Sequence, residues 1–235
     1  ETSDEKLDLF PARGDAAPLV VFIHGGYWRS LDKSDFSWIA PPFVAQGVAV
    51  ALLNYGLAPR TPMEDIVRQV LRALAWLHSR AERYGIDRSR IYLSGHSAGG
   101  HLTAMAMAAL WPVLDPELPA DLVKGGLSIS GLYDLEPLLH APFINIDLQL
   151  TPARAIRLSP ALLPPATDAP LVTAVGALES NEFQRQNALI GQRWRRSVVR
   201  DVPLPGCNHL TVCDELGQPG SALVDAALAL VQGRP

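Results

Sequence analysis

Short continuous apolar runs alternate along this chain with longer segments whose apolar residues recur every three or four positions. Runs of the first kind are Leu19–His24 (LVVFIH), Val48–Leu53 (VAVALL), Ile91–Ser94 (IYLS), Gly125–Ser130 (GGLSIS) and Leu171–Gly176 (LVTAVG). A strand covered on both faces needs no polar alternation, so these runs predict strands of a parallel sheet. Ser197–Val202 and the short Leu7–Phe10 (LDLF) are further strand candidates. Met63–Tyr84 carries apolar residues at 66, 67, 70, 71, 74 and 77 and stops before Gly85, which predicts an amphipathic helix. Ser97–Leu110 is apolar nearly all round and reads as a buried helix. Glu182–Trp194 and Ser221–Val231 are also helical, while Phe36–Ala45 is a modest helix weakened by Pro41 and Pro42.

Residues 131–170 lack a long period and carry Pro137, Pro142, Pro152, Pro160, Pro164, Pro165 and Pro170. They read as an irregular, cap-like insertion with short helical turns. With no repeat, linker or charge block, the alternation predicts a single α/β domain over residues 1–235, a mainly parallel twisted sheet with helices on both faces.

Composition narrows the chemistry. Hydrophobic residues are 48% and charged residues 19%, the signature of a well-cored globular chain. Twenty Lys and Arg against 24 Asp and Glu give −4 with no basic block, which argues against nucleic acid and against a polybasic membrane contact. No apolar run reaches the ~18–20 residues of a membrane span. The two cysteines, Cys207 and Cys213, stand too few and too close for a disulfide scaffold, so a reducing, cytoplasmic setting is expected. The chain begins at Glu1 and not at Met, which points to an N-terminal segment cut away or lying outside this sequence, a secretory leader among the candidates.

The sharpest local signal is Gly95-His96-Ser97-Ala98-Gly99 between a predicted strand and a predicted helix. A serine nucleophile needs a strained strand-to-helix turn that lifts its hydroxyl clear of the sheet, with glycines where Cβ atoms would collide. The bland reading is a Gly-rich turn that caps a helix. His24-Gly-Gly-Tyr-Trp28 follows another buried strand, and successive glycines can aim backbone N–H groups at an oxyanion. Gly25 and Gly26, with the amide of Ala98, are the expected donors, and His24 is expected to anchor the loop. Of the six histidines, His209 follows the last predicted strand, where the order serine, acid, histidine puts the base. The acid must follow a strand between Ser97 and His209. Glu179 and Asp134 both qualify. Glu179 is favoured because its loop leaves the strand next to the one delivering His209, whereas Asp134 looks more like a helix N-cap. Tyr27, Trp28, Tyr55 and Tyr133 lie at or just beyond strand ends and are expected to line an aryl-tolerant substrate pocket. No His-Glu-x-x-His or Cys-x-x-Cys pair supports a zinc site, and no phosphate or dinucleotide fingerprint is present, so no metal or cofactor is expected.

Together these residues resemble the α/β-hydrolase fold with its nucleophile elbow. Within it they are similar to the hormone-sensitive-lipase-like esterases and, more closely, to the kynurenine formamidase (arylformamidase)-like branch. The resemblance rests on His24-Gly-Gly-Tyr-Trp28, Asn54-Tyr-Gly-Leu-Ala-Pro59, Gly95-His-Ser-Ala-Gly-Gly-His-Leu102, Ser130-Gly-Leu-Tyr-Asp-Leu-Glu-Pro137, Glu179-Ser-Asn-Glu-Phe-Gln-Arg-Gln186 and Asn208-His209, in order over most of the chain. In the formamidase branch the acid opens a stretch like the one beginning at Glu179, which supports Glu179 over Asp134. Two departures stand out: the acid is Glu where Asp is common, and Arg60 stands where the lipase-like relatives usually have Glu.

The expectation is a metal-independent serine hydrolase with a Ser97–His209–Glu179 triad, acting on short-chain aryl esters, or alternatively on the arylformamide N-formylkynurenine. A hydrolase fold used only for binding is the remote alternative. The expected partner is a small ester or formamide substrate, and a homodimer is compatible with this picture.

Overall fold

The computed structural model describes residues 2–235. Its strands are β1 Leu7–Phe10, β2 Ala17–Ile23, β3 Ala49–Leu53, β4 Ile86–His96, β5 Val123–Ile129, β6 Leu171–Gly176 and β7 Val198–Leu204. The α-helices are α1 Ala40–Val44, α2 Met63–Arg80, α3 Ala98–Met107, α4 Trp111–Leu114, α5 Pro142–Leu148, α6 Pro152–Arg157, α7 Asn181–Arg193 and α8 Ala222–Val231. The seven strands form one sheet in the order β1-β3-β2-β4-β5-β6-β7. Among the described residues only the β1–β3 pair is antiparallel.

The continuous apolar runs are explained by two cores, one on each face of the sheet. Along β2, Leu19, Val21 and Ile23 enter one core while Val20 and Phe22 enter the other. β3 repeats the division, with Ala49, Ala51 and Leu53 opposite Val50 and Leu52. The first core is closed by α2, α3 and α7, through residues such as Ile66, Leu74, Leu102 and Ile190. The second is closed by α1 and α8, through Phe43, Leu223 and Leu230. α3 is buried at every position but Met105, which is half-buried, as its lack of a polar face requires.

The differences from the sequence reading have local causes. β4 starts at Ile86 because residues 86–90 (IDRSR) join the sheet although they are polar, with Asp87 pairing to Ser89 and Arg90. Pro41 and Pro42 do not weaken a helix over 36–45. A 3₁₀ segment, Lys33–Ile39, is capped by Asp32, and α1 then begins on the two prolines. The insertion is more ordered than its composition suggests. Its helical turns, Glu136–His140, α5, α6 and Pro160–Leu162, each carry proline in one of their first two positions, where its missing N–H costs no hydrogen bond. α4, a single turn around buried Trp111, had no periodic signal. Among the described residues no helix is long and apolar enough to cross a membrane.

Candidate active site

All parallel strands end on the same edge of the sheet, and the chemistry-bearing residues lie just beyond those ends. Ser97 follows the central strand β4 and is the residue before α3. Its backbone sits at φ 57°, ψ −116°, a conformation that a non-glycine residue holds only under constraint. Its amide donates to the Ile129 carbonyl at 2.8 Å, which pins the turn to β5. The flanking glycines are required by close packing. A Cβ at Gly95 would lie 2.2 Å from the Gly99 carbonyl oxygen, and one at Gly99 would lie 1.8 Å from the Ile23 oxygen.

His209 Nε2 is 3.0 Å from Ser97 Oγ, and His209 Nδ1 is 2.6 Å from Glu179 Oε2. The other carboxylate oxygen, Oε1, accepts from Ser130 Oγ at 2.5 Å and from the Gly176 amide at 2.8 Å. Burial pushes the Glu179 carboxyl up, but the hydrogen bonds from His209, Ser130 and Gly176 outweigh it and hold the group below its usual range. The carboxylate is therefore ionised and fully spent on three donors. Asp134 is elsewhere: it accepts from the Glu136 amide and pairs with Arg185. The geometry thus brings Glu179, and not Asp134, to the imidazole.

Two rings flank His209. Phe183 stacks on it with centroids 4.0 Å apart and an interplanar angle of 25°, and His96 lies at 4.8 Å and 40°. Burial, aided by the nearby His209, pushes His96 down to about 3, so this second imidazole stays uncharged at neutral pH.

The loop after β2 runs against Ser97. A Cβ at Gly25 would sit 3.1 Å from Ser97 Cβ. Gly26, Tyr27 and Trp28 have φ of 93°, 48° and 56°, three successive left-handed residues, two with side chains. Several bonds hold this shape. Tyr55 Oη donates to the His24 and Gly25 carbonyls, and Ser30 Oγ donates to the Gly26 carbonyl. His24 lies between the Gly25 carbonyl and Asn54 Oδ1, and burial lowers its pKa. Trp28 Nε1 donates to His101 Nδ1 at 3.2 Å, which leaves His101 Nε2 to donate to the Leu158 carbonyl at 2.8 Å. Arg29 reaches Asp147 and the Phe143 carbonyl on α5. Ala98, at the first position of α3, has an amide with no intrahelical partner, at the positive end of the helix.

The aromatic residues expected to line a pocket need correction. Trp28, Tyr55 and Tyr133 are each at most 1% exposed. Their side chains turn inward. Trp28 bonds to His101, Tyr55 holds the loop carbonyls, and the Tyr133 hydroxyl donates to Ser128 Oγ. A position at a strand end fixes where the backbone stands and not which way the ring points. Tyr27 alone of the four keeps partial exposure, packed against the core on the loop after β2. Ser130, Phe183, His101 and Arg29 were not singled out in the sequence. The first three lie inside the motifs that were quoted, while Arg29 immediately follows one. A cavity of about 520 Å³ between β1 and α2, bordered by Leu7, Arg72, Trp76 and Tyr84, includes none of the candidate catalytic residues.

Sheet order, elbow and Ser–His–carboxylate geometry define a hydrolase of the α/β-hydrolase fold. Residues 7–114 match the family described as BD-FAE. The chain is 34% identical over 230 residues to the kynurenine formamidase of Salmo salar, covering 92% of this chain and 74% of that protein. It is likewise 34% identical to that of Danio rerio, over 80% of this chain and 64% of the relative. The crystal structure of a candidate thioesterase from Silicibacter sp. superposes with a TM-score of 0.87 at 33% identity, covering 97% of this chain and 82% of that one. The chain belongs to the kynurenine formamidase family, in the formamidase and esterase branch of the α/β-hydrolase superfamily.

Proposed function

We propose that the protein hydrolyses a small acyl group from an aryl leaving group, an arylformamide of the N-formylkynurenine type, through a Ser97–His209–Glu179 triad and an acyl-enzyme. Ser97 Oγ attacks the carbonyl carbon while His209 takes its proton through Nε2. Glu179 keeps the imidazole in the tautomer that leaves Nε2 free and offsets the charge when the ring is protonated. The amides of Gly25, Gly26 and Ala98 receive the oxyanion, with the positive end of α3 behind them. His209 returns the proton to the leaving amine. Water, deprotonated by the same nitrogen, then releases the acyl group.

The observation that carries this reading is the unbroken hydrogen-bonded path from Ser97 Oγ through His209 to Glu179. Formyl is favoured as the acyl group by the named activity of the relatives in Salmo salar and Danio rerio. The tight approach of Gly25 to Ser97 suits a small acyl group as well. A second reading, hydrolysis of short-chain aryl esters, draws on the 30% identity to the esterase LipC of Mycobacterium tuberculosis.

The test is kcat/KM for N-formylkynurenine against p-nitrophenyl esters from acetyl to decanoyl, with fluorophosphonate labelling of Ser97. The expected result is stoichiometric labelling, highest efficiency on the formamide, and a fall among esters by C8 or longer. Absence of labelling would support a binding module instead. A preference for C10 esters would require a long acyl channel and overturn the small-acyl reading.

A further inference from the structure

We infer that Phe183 is a positioning residue for the reaction: its π face lies against His209 and favours the protonated ring formed as Ser97 attacks. This rests on the reading of His209 as the base. Both ring nitrogens of His209 are engaged, Nδ1 with Glu179 and Nε2 with Ser97. What remains for further contact is the ring face, and Phe183 stacks there at 4.0 Å.

The placement follows from the acid loop. Glu179 ends the turn after β6, Ser180 immediately precedes α7, and Phe183 stands in the first turn of that helix, four residues beyond the carboxylate. One short segment thus supplies both the anion at the imidazole edge and the aromatic face. Phe183 is half-buried and packed against the core, so its ring is held in place. His96, the other flanking ring, adds no opposing charge, because burial keeps it neutral.

The energetic argument is differential. An aromatic face carries negative quadrupole density and attracts a cation far more than a neutral ring. To act as the base, His209 must be neutral when substrate binds. It becomes an imidazolium when it takes the Ser97 proton, and again when it deprotonates water for release. An interaction that strengthens only when the proton arrives lowers the barrier without tightening substrate binding. Phe183 is then expected to act on kcat and leave KM alone, in both acylation and deacylation.

The experiment compares wild type with Phe183→Leu, Phe183→Tyr and a series with mono-, di- and trifluorinated phenylalanine at position 183. Fluorine drains the ring face while nearly keeping its shape. The Leu variant, which keeps apolar cover, should lose about three- to thirty-fold in kcat with KM within about threefold and an unchanged melting temperature. Tyr should restore most of the rate, and log kcat should fall stepwise with each fluorine. A flat fluorine series, full activity in the Leu variant, loss confined to KM, or loss that tracks melting temperature would each overturn the assignment. Fluorophosphonate labelling of wild type separates the two failures. If Ser97 is labelled and the series is flat, only the Phe183 role fails. Without labelling, the triad reading fails first.

Discussion

Glu179 and His209 meet at 2.6 Å although they stand 30 positions apart and leave different strands, the acid from the end of β6 and the histidine from beyond β7. Ser130 and the Gly176 amide complete the carboxylate's partners, so removing its charge leaves three donors facing a weaker acceptor.

Glu179→Gln should therefore lower kcat by about 10⁴, because an amide lets the imidazole take the wrong tautomer. Asp134→Asn should cost less than tenfold, since Asp134 meets Arg185 and a backbone amide instead. Steady-state kinetics on both variants decide, and the reverse pattern would transfer the acid role to Asp134.

Ser97→Ala should lose about 10⁴–10⁶ in kcat while keeping its fold. Ser97→Gly should be as inactive yet more stable than the alanine variant by about 1 kcal/mol. Relief of roughly 1–3 kcal/mol of strain at φ 57° exceeds the roughly 0.4–1 kcal/mol lost to a looser unfolded chain. Urea unfolding of the two variants measures the difference, and an alanine variant more stable than the glycine one would mean that the turn is unstrained.

Gly99→Ala and Gly191→Ala make opposite predictions for the same chemical change. At Gly99 the new methyl would lie 1.8 Å from the Ile23 oxygen, so strand β2 or helix α3 must shift, and a loss above about 3 kcal/mol or failure to fold is expected. Gly191, inside α7 with open space around it, should gain about 0.5–1 kcal/mol, or about 1–4 °C in Tm. Differential scanning calorimetry of both checks this.

Tyr133→Phe should lower Tm without altering KM, because its hydroxyl serves Ser128 inside the protein. Tyr27→Ala should raise KM for aryl substrates, since Tyr27 is the one ring of the four that keeps solvent exposure, on the loop that approaches Ser97. If KM followed Tyr133 and not Tyr27, the buried ring would have to be reached by substrate after all.

Acidification should destabilise the fold before it protonates most carboxylates. Burial pushes His101 down to about 4 and His96 down to about 3, from an ordinary value of 6.5. Below pH 6.5 the unfolded chain takes up protons that these folded groups refuse, so stability falls as pH falls. The slope is up to about 1.4 kcal/mol per pH unit for each histidine. Glu179, held low, adds the same sign further down: its contribution is present above the unfolded carboxyl value of 4.5 and is lost as pH drops through the folded one. Urea midpoints should decline from pH 7 to 5, and less steeply in His101→Gln. A constant midpoint over that range would mean that these rings are charged in the folded protein.

Strand positions, helix α2 and the turn at Ser97 were legible in the sequence because each follows from a local pattern, whereas the approach of Glu179 to His209 was read from strand succession and from the family resemblance. The order of strands makes Glu179 and His209 neighbours, and that order is a general property of such sheets. Side-chain direction was not legible. Trp28 and Tyr55 sit at strand ends as expected, but the left-handed backbone at Gly26, Tyr27 and Trp28 swings the indole toward His101, and no one-dimensional pattern encodes that turn. The insertion hid its helices because its prolines begin turns and do not break them.

The link from Trp28 through His101 to Leu158 ends on a main-chain oxygen. Any amino acid at position 158 supplies that oxygen, so the bond itself makes no demand on the side chain there, and Leu158 is held by its burial in the core instead. The indole and imidazole at the other end have no such freedom. A substitution at Leu158 should therefore act through the core it fills and leave the acceptor for His101 in place, whereas a substitution at Trp28 or His101 removes the clamp that holds the insertion to the helix beginning beside Ser97.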